Sequence, residues 1–396
     1  MKENKDFSSG IESALKTIGE VAADALENIT SAITGAPENL RDGTEFAPVE
    51  LPRDLYAHGG AQTEWWYYTG HFDGADGDRY GFELVFFKRR TDLDKFGPVP
   101  LRLLGNPIYF AHFALTDKKH GQFRYSHRKS ANGWLDDKAH ASESHYHLRL
   151  GDWSVREAHG CHLLRAALGD DCIFEASLRP TKDVVLNGSK RDGVSYKDED
   201  EASRYFSITR MDLDGVLQTA SGAERIHGQA WMDREFGTWA PTERQKGWDW
   251  FSIQLDDESE IMVYQLRDSK GDVSPYSSGL LVAVDGSSEH LDADKFKIET
   301  LEKWESPNSG AEYPSRWTIS IPEKEIKLEV TPILNDQELD TRGTTMIVYW
   351  EGACEVRGTA GGKEVEGDAY VELVGYDRSH ENPNLAYFLV GNRFEA

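Results

Sequence analysis

The chain has 396 residues, 29% charged and 39% hydrophobic, with a formal net charge of −25 at pH 7. That balance argues against nucleic acid, whose affinity comes mostly from Lys and Arg on phosphates, and against an anionic membrane surface. The length allows two domains of ordinary size, and eleven Trp, sixteen Tyr and seventeen Phe point to large cores or an aromatic-lined pocket.

In chain order, Phe7 to Thr34 carries the one long helical pattern. Ile11, Leu15, Ile18, Val21, Ala22, Leu26, Ile29 and Ile33 recur with three- and four-residue spacing. Ser8 and Ser9 suit a cap and Gly35 a stop. Its acidic polar face suits docking on the main body or on a partner protein. Residues 37–52 read as a linker, so 1–49 is expected to stand apart from the rest of the chain. No segment is long and apolar enough to span a membrane. No secretory signal is visible, and three cysteines (Cys161, Cys172, Cys354) form no framework. The expectation is a cytoplasmic protein.

From Leu51 onwards the pattern is β. Glu64 to Phe72 is an aromatic strand that turns at Asp73 to Asp78 and returns over Tyr80 to Lys88. Further strands are expected at 109–116, 145–150, 162–168, 173–178 and 205–213, with a polar excursion at 187–203. The turn at Gly169-Asp170-Asp171 pairs residues summing to 340, which sets Cys161 opposite Arg179 and away from Cys172. A second series runs over 248–255, 261–267, 279–284, 315–321, 326–332, 346–356 and 364–374.

The two series read as copies. Gly228-Gln229-Ala230-Trp231-Met232-Asp233 aligns with Gly367-Asp368-Ala369-Tyr370-Val371-Glu372 at a shift of 367 − 228 = 139. Trp65-Trp66-Tyr67 aligns with Trp248-Asp249-Trp250. The expected fold is all-β, a duplicated antiparallel barrel with units at 50–245 and 246–396. A small barrel can enclose one ligand; a cleft between two barrels is the other natural pocket.

The stretch Ile226 to Gly237 is the focus of the chemistry. On a strand, Trp231, Asp233 and Glu235 share one face and Met232, Arg234 and Phe236 the other. Two carboxylates two positions apart lie roughly 6.5–7 Å from each other, close enough to raise each other's pKa where water is excluded. A carboxylic acid kept protonated in an apolar site can protonate an alkene, and aromatic faces stabilise the cation. Asp233 suits that task, with Glu235, Asp249 and Glu64 as further candidates. The alternative is that these acids are structural ions held by Arg210, Arg234 or Arg267. Trp65, Trp66, Tyr67, His112, Trp231, Phe236, Trp248, Trp250, Gln254 and Tyr264 are the expected ligand-binding residues. Aromatics on strands can equally fill cores, and His112 can equally be a core histidine. His145-x-His147 and His159-x-x-His162 lack the accompanying ligands of a zinc site. With no phosphate loop or hydrolase motif either, neither metal nor cofactor is expected.

Four segments together carry a resemblance: Thr63 to Gly70 (TEWWYYTG), Ala111 to Asp117 (AHFALTD), Ala230 to Gly237 (AWMDREFG) and Gly247 to Phe251 (GWDWF). In this order they resemble the AttH-like, hydroxyneurosporene synthase (carotenoid 1,2-hydratase) family. The resemblance spans about 50–390. It implies two tandem lipocalin-like barrels, a ligand site near their interface, and either alkene hydration or templated cyclisation of an isoprenoid or polyketide. The hydratase strand-end motif reads Asp-His-Asn-Trp, where this chain has Asp233-Arg234-Glu235-Phe236. Hydratase activity therefore does not carry over by motif alone. A carrier of apolar small molecules, or an interaction module tethered by the N-terminal helix, are the competing readings.

Overall fold

The computed structural model describes residues 47–377, apart from 76, 92–94, 97–98, 101–104, 132–137, 200 and 238–244. The helix expected over 7–34 lies outside the described residues.

The strands of the first half are β1 (Thr63–Asp73), β2 (Arg79–Arg89), β3 (Lys95–Phe96), β4 (Val99–Pro100), β5 (Ile108–Asp117), β6 (Gln122–Ala131) and β7 (Ala139–Ala141). They continue with β8 (His147–Leu150), β9 (Trp153–Ala158), β10 (Cys161–Leu168), β11 (Cys172–Pro180), β12 (Val185–Leu186), β13 (Val194–Tyr196), β14 (Ala202–Thr219) and β15 (Gly222–Gly237). The second half holds β16 (Gln245–Leu255), β17 (Glu260–Asp268), β18 (Ser278–Val282), β19 (Ser288–Asp292) and β20 (Lys297–Glu305). It ends with β21 (Glu312–Ile321), β22 (Ile326–Pro332), β23 (Glu338–Asp340), β24 (Val348–Ala360) and β25 (Lys363–Val374). Among the described residues there is no α-helix, and no helix long and apolar enough to cross a membrane.

These strands make two barrel-like antiparallel sheets. The first runs β6-β5-β2-β1-β15-β14-β11-β10-β9-β8-β7 and the second β19-β18-β17-β16-β25-β24-β22-β21-β20. Nine successive positions follow one connectivity in both sheets. β1, β2, β15 and β14 correspond to β16, β17, β25 and β24. The register agrees to the residue: Thr69 faces Trp231 in the first sheet, and Ser252 faces Tyr370 in the second. The shift from Trp231 to Tyr370 is 139, the value read from the sequence. The 161–180 hairpin also has its expected register, with His162 opposite Leu178, and its cysteines are free.

Alternation along each strand sends one set of side chains into its own barrel. The first interior is filled by Trp66, Tyr68, Phe72, Phe82, Phe113, Trp153 and Phe174 among others, and the second by Phe251, Trp317, Trp350, Val356 and Leu373. The opposite alternation brings a second aromatic layer between the sheets, including Tyr67, Val85, Tyr205, Trp231, Trp250, Tyr264 and Tyr370. The backbones approach closely there. A Cβ built on Gly81 would come within 2.3 Å of the Ala353 Cβ.

Candidate active site between the two sheets

Asp233 lies in this inter-sheet layer, 4% exposed. Its Oδ1 accepts from Ser207 Oγ at 2.6 Å and from Trp231 Nε1 at 2.7 Å, and its Oδ2 accepts from Tyr205 Oη. Burial pushes the carboxyl up to about 6, against the downward pull of these three donors. Tyr205 Oη in turn accepts from Trp250 Nε1 of the second sheet at 3.1 Å. Glu235, two residues on, accepts from Ser203 and pairs with Lys197 at 2.8 Å. Lys197 comes from the polar excursion expected at 187–203 and lies over the Tyr205 and Tyr264 rings.

The register makes Glu372 the counterpart of Asp233. Asp233 faces Tyr67 across β1, and Glu372 faces Trp250 across β16. The Tyr67 and Trp250 rings meet edge-on with centroids 5.3 Å apart, and Trp231 meets Trp250 at 6.2 Å. Glu372 differs from Asp233 in two ways. It is partly exposed. Its Oε2 accepts from Trp248 Nε1 at 2.7 Å. Burial among apolar rings, aided by Glu235 and Asp233, pushes Glu372 up to about 7.

Two more acids lie deeper. Glu83 of β2 and Glu351 of β24 are fully buried. Tyr67 Oη donates to Glu351 Oε1. Burial first, then neighbouring acids, hold both carboxyls well above the usual carboxylate range. Both Glu83 oxygens, Glu351 Oε2, Tyr370 Oη, Thr69 Oγ1 and His71 Nε2 are buried without a hydrogen-bond partner. All six atoms belong to the facing strands β1, β2, β24 and β25.

Of the residues expected from sequence, Trp65, Tyr67, Trp231, Asp233, Glu235, Trp248, Trp250 and Tyr264 come together here. Gln254 joins the sheets beside them, its Nε2 donating to Thr209 O at 2.7 Å and Ala230 O at 3.1 Å. His112 also lies between the sheets, with Nδ1 2.7 Å from Tyr349 Oη and Nε2 3.2 Å from Thr344 Oγ1. Burial holds its pKa well below the ordinary value, so it is neutral.

Four expected residues lie elsewhere. Glu64 is fully buried on the other face of β1, against Arg234 and with Lys88 at 2.8 Å. Burial alone would raise its pKa, but the two cations hold it below the usual range. Trp66 shares that side, under Arg234 at 4.0 Å. Phe236 stacks on His58 at 3.9 Å. Asp249 points to the interior of the second barrel, paired with Arg267 at 2.8 Å and accepting from Tyr376 Oη. Alternation explains all four: an odd step along a strand crosses to the other face. Arg210 is taken by Glu260 at 2.6 Å, with Lys182 at 2.8 Å. The acids that sequence reasoning missed are Glu83, Glu351 and Glu372. The repeat already set Glu372 against Asp233. Glu83 in Phe82-Glu83-Leu84 interrupts an apolar run, which is the available signal for it.

Among the described residues, no group of three or more His, Cys, Asp or Glu is arranged to hold a metal ion.

The sequence pattern of the AttH-like family matches residues 43–376. An AttH-type protein of Nitrosomonas europaea is similar in structure, with a TM-score of 0.74 and 28% identity over 84% of this chain and 98% of that one. Kievitone hydratase from Nectria haematococca shares the fold at a TM-score of 0.65 and 14% identity, over 84% of this chain and 94% of that one. CghA does so at 0.50 and 12%, over 80% and 89%. No curated protein matches by sequence. With the family pattern running through both sheets, the chain belongs to the AttH-like family.

Proposed function

We propose that this chain is a cofactor-independent enzyme that protonates an alkene of an apolar isoprenoid or polyketide-type molecule, leading to hydration, cyclisation or isomerisation. The substrate lies between two lipocalin-like units, 50–245 and 246–396. The observation that carries this reading is the pair of repeat-equivalent acids, Asp233 and Glu372, held with raised pKa values in an aromatic layer between the sheets. Their environments separate their roles. Asp233 is sealed by three donors, which favour its carboxylate. Glu372 sits near 7 and is partly exposed, so at neutral pH a large share of it still holds the proton and can give it up.

The step balances simply. Glu372 gives its proton to one alkene carbon, leaving a carboxylate and a carbocation on the neighbouring carbon. Water adds to that carbon and returns a proton to a carboxylate, which gives net hydration. Ring closure followed by proton loss gives cyclisation instead. Trp65, Trp248 and Trp250 supply the aromatic faces that favour the cation. Kievitone hydratase, on the same fold, gives the reading a precedent. The carrier reading draws no support from the barrel interiors, which are filled by side chains.

The test is a panel of isoprenoid and polyketide alkenes incubated in deuterated buffer and followed by mass spectrometry. Deuterium gain or water addition is expected with wild type. With Glu372→Gln it should fall by the ~10²–10⁴-fold typical of lost general acid catalysis. Turnover unchanged by that substitution would refute the assignment.

A further inference from the structure

Among the described residues, most buried acids are neutralised or saturated with donors; Glu338, with no ion pair, accepts from Ser306, Ser309 and Tyr313. Glu64, Glu235, Asp249 and Glu260 each have an Arg or Lys within ion-pair distance. Glu83, Glu351, Glu372 and Asp233 form no ion pair with a described residue, and they meet in one layer between the sheets. Burying a carboxyl without a counter-charge is costly. Leaving its oxygens without hydrogen bonds adds to that cost. Glu83 is fully buried with both oxygens unpartnered, and Glu351 Oε2 and Tyr370 Oη are in the same condition.

The surroundings are of one chemical kind. Tyr67, Tyr349 and Tyr370 lie within electrostatic reach of Glu83 and Glu351. Trp250 packs edge-on against Tyr67. Acceptor oxygens and π faces both attract positive charge. A neutral hydrocarbon would gain nothing from the oxygens.

We propose that the Glu83–Glu351–Glu372 layer is a cation-binding site for organic cations of tertiary-carbon shape: the carbocation formed from the substrate, and equally a stable tertiary ammonium of the same outline. The proposal rests on the acid-initiated reading above and adds to it the residues that hold the charge after proton transfer. Glu372 becomes a carboxylate by giving up its proton. Glu83 and Glu351 turn their carbonyl oxygens to the cation, and Tyr67 keeps Glu351 oriented through its hydrogen bond.

The test compares two probes by quenching of tryptophan fluorescence. One is N,N-dimethylgeranylamine, protonated at neutral pH. The other is the hydrocarbon in which its nitrogen is replaced by CH. Wild type should bind the amine at least about tenfold more tightly, as expected for a desolvated cation against aromatic faces and carboxylates. Glu83→Gln and Glu351→Gln keep side-chain volume and should each shrink that preference while retaining the hydrocarbon. Equal binding of the two probes by wild type would overturn the proposal, and needs no variant to fold. An unchanged preference in both folded variants would also overturn it. Failure here is separable from failure of the enzymatic reading. Hydrocarbon binding without amine preference removes this site alone, whereas amine preference without turnover of any alkene removes the enzymatic reading alone.

Discussion

The indole nitrogen of Trp250 lies 3.1 Å from the phenol oxygen of Tyr205, and Tyr205 passes its own hydrogen bond to Asp233. One residue of the second sheet thereby sets the environment of an acid in the first. The link has a measurable consequence. Tyr205→Phe removes a donor that favours the Asp233 carboxylate, so the Asp233 pKa should rise above its value of about 6. Carbon-13 NMR titration of the Asp carboxyls would follow it. A pKa that stays put or falls would mean that Tyr205 does not control this acid.

Glu64 and Arg234 test the distinction between structural and reactive acids. Both side chains are fully buried. Glu64→Gln leaves Arg234 and Lys88 without their counter-charge, which should cost about 3–5 kcal/mol. Urea unfolding would measure it. A loss below about 1 kcal/mol would contradict the structural role of Glu64.

The approach of Gly81 to Ala353 gives a paired prediction. A methyl at 81 overlaps the Ala353 Cβ, and overpacking of this kind costs about 1–3 kcal/mol. Gly81→Ala should destabilise the protein, and adding Ala353→Gly should restore much of the loss. Double-mutant unfolding energies that simply add would show that the two positions do not touch.

Stability should depend on pH with a definite sign. Glu372 is raised from 4.5 to about 7 and Asp233 from 3.8 to about 6, with Glu83 and Glu351 raised as well. In that window the folded chain holds protons that the unfolded chain has released. Stability therefore falls as pH rises from about 4 to about 7, by up to ~1.4 kcal/mol per pH unit for each such group. Glu64 behaves oppositely. Its lowered pKa contributes stability above the ordinary carboxylate range, and that contribution is lost only in acid. Urea midpoints at about pH 5 and about pH 8 should differ less in Glu372→Gln than in wild type. An identical difference in the two proteins would contradict the raised Glu372.

The sequence revealed what alternation and repetition encode. The face shared by Trp231, Asp233 and Glu235 followed from the two-residue period, and the correspondence of the sheets from the 139-residue shift. The pairing of acids with cations was legible only in part. Of the candidate partners, Arg234 meets Glu64 of β1 and Arg267 meets Asp249, but which cation meets which acid joins distant strands and could not be assigned from the sequence. Arg210 meets Glu260 of β17, and neither Arg210 nor Arg234 meets its neighbour Asp233. Edge strands were also missed. β6 (QFRYSHRKSA) alternates aromatic with polar residues only over Phe123 and Tyr125 before turning basic, and β20 (KIETLEKWE) is heavily charged with Ile298, Leu301 and Trp304 three apart. Glu83 and Glu351 became visible only when the two sheets were brought face to face.

The acid-initiated reading turns on Glu372 titrating near neutrality between the sheets, so that a large share of it is protonated at pH 7. Carbon-13 NMR of glutamate carboxyls, with Glu372→Gln to assign the signal, measures this directly. The account predicts a Glu372 midpoint of about 7. A midpoint near the ordinary 4.5 would leave the site with no acid to begin the reaction and would contradict it.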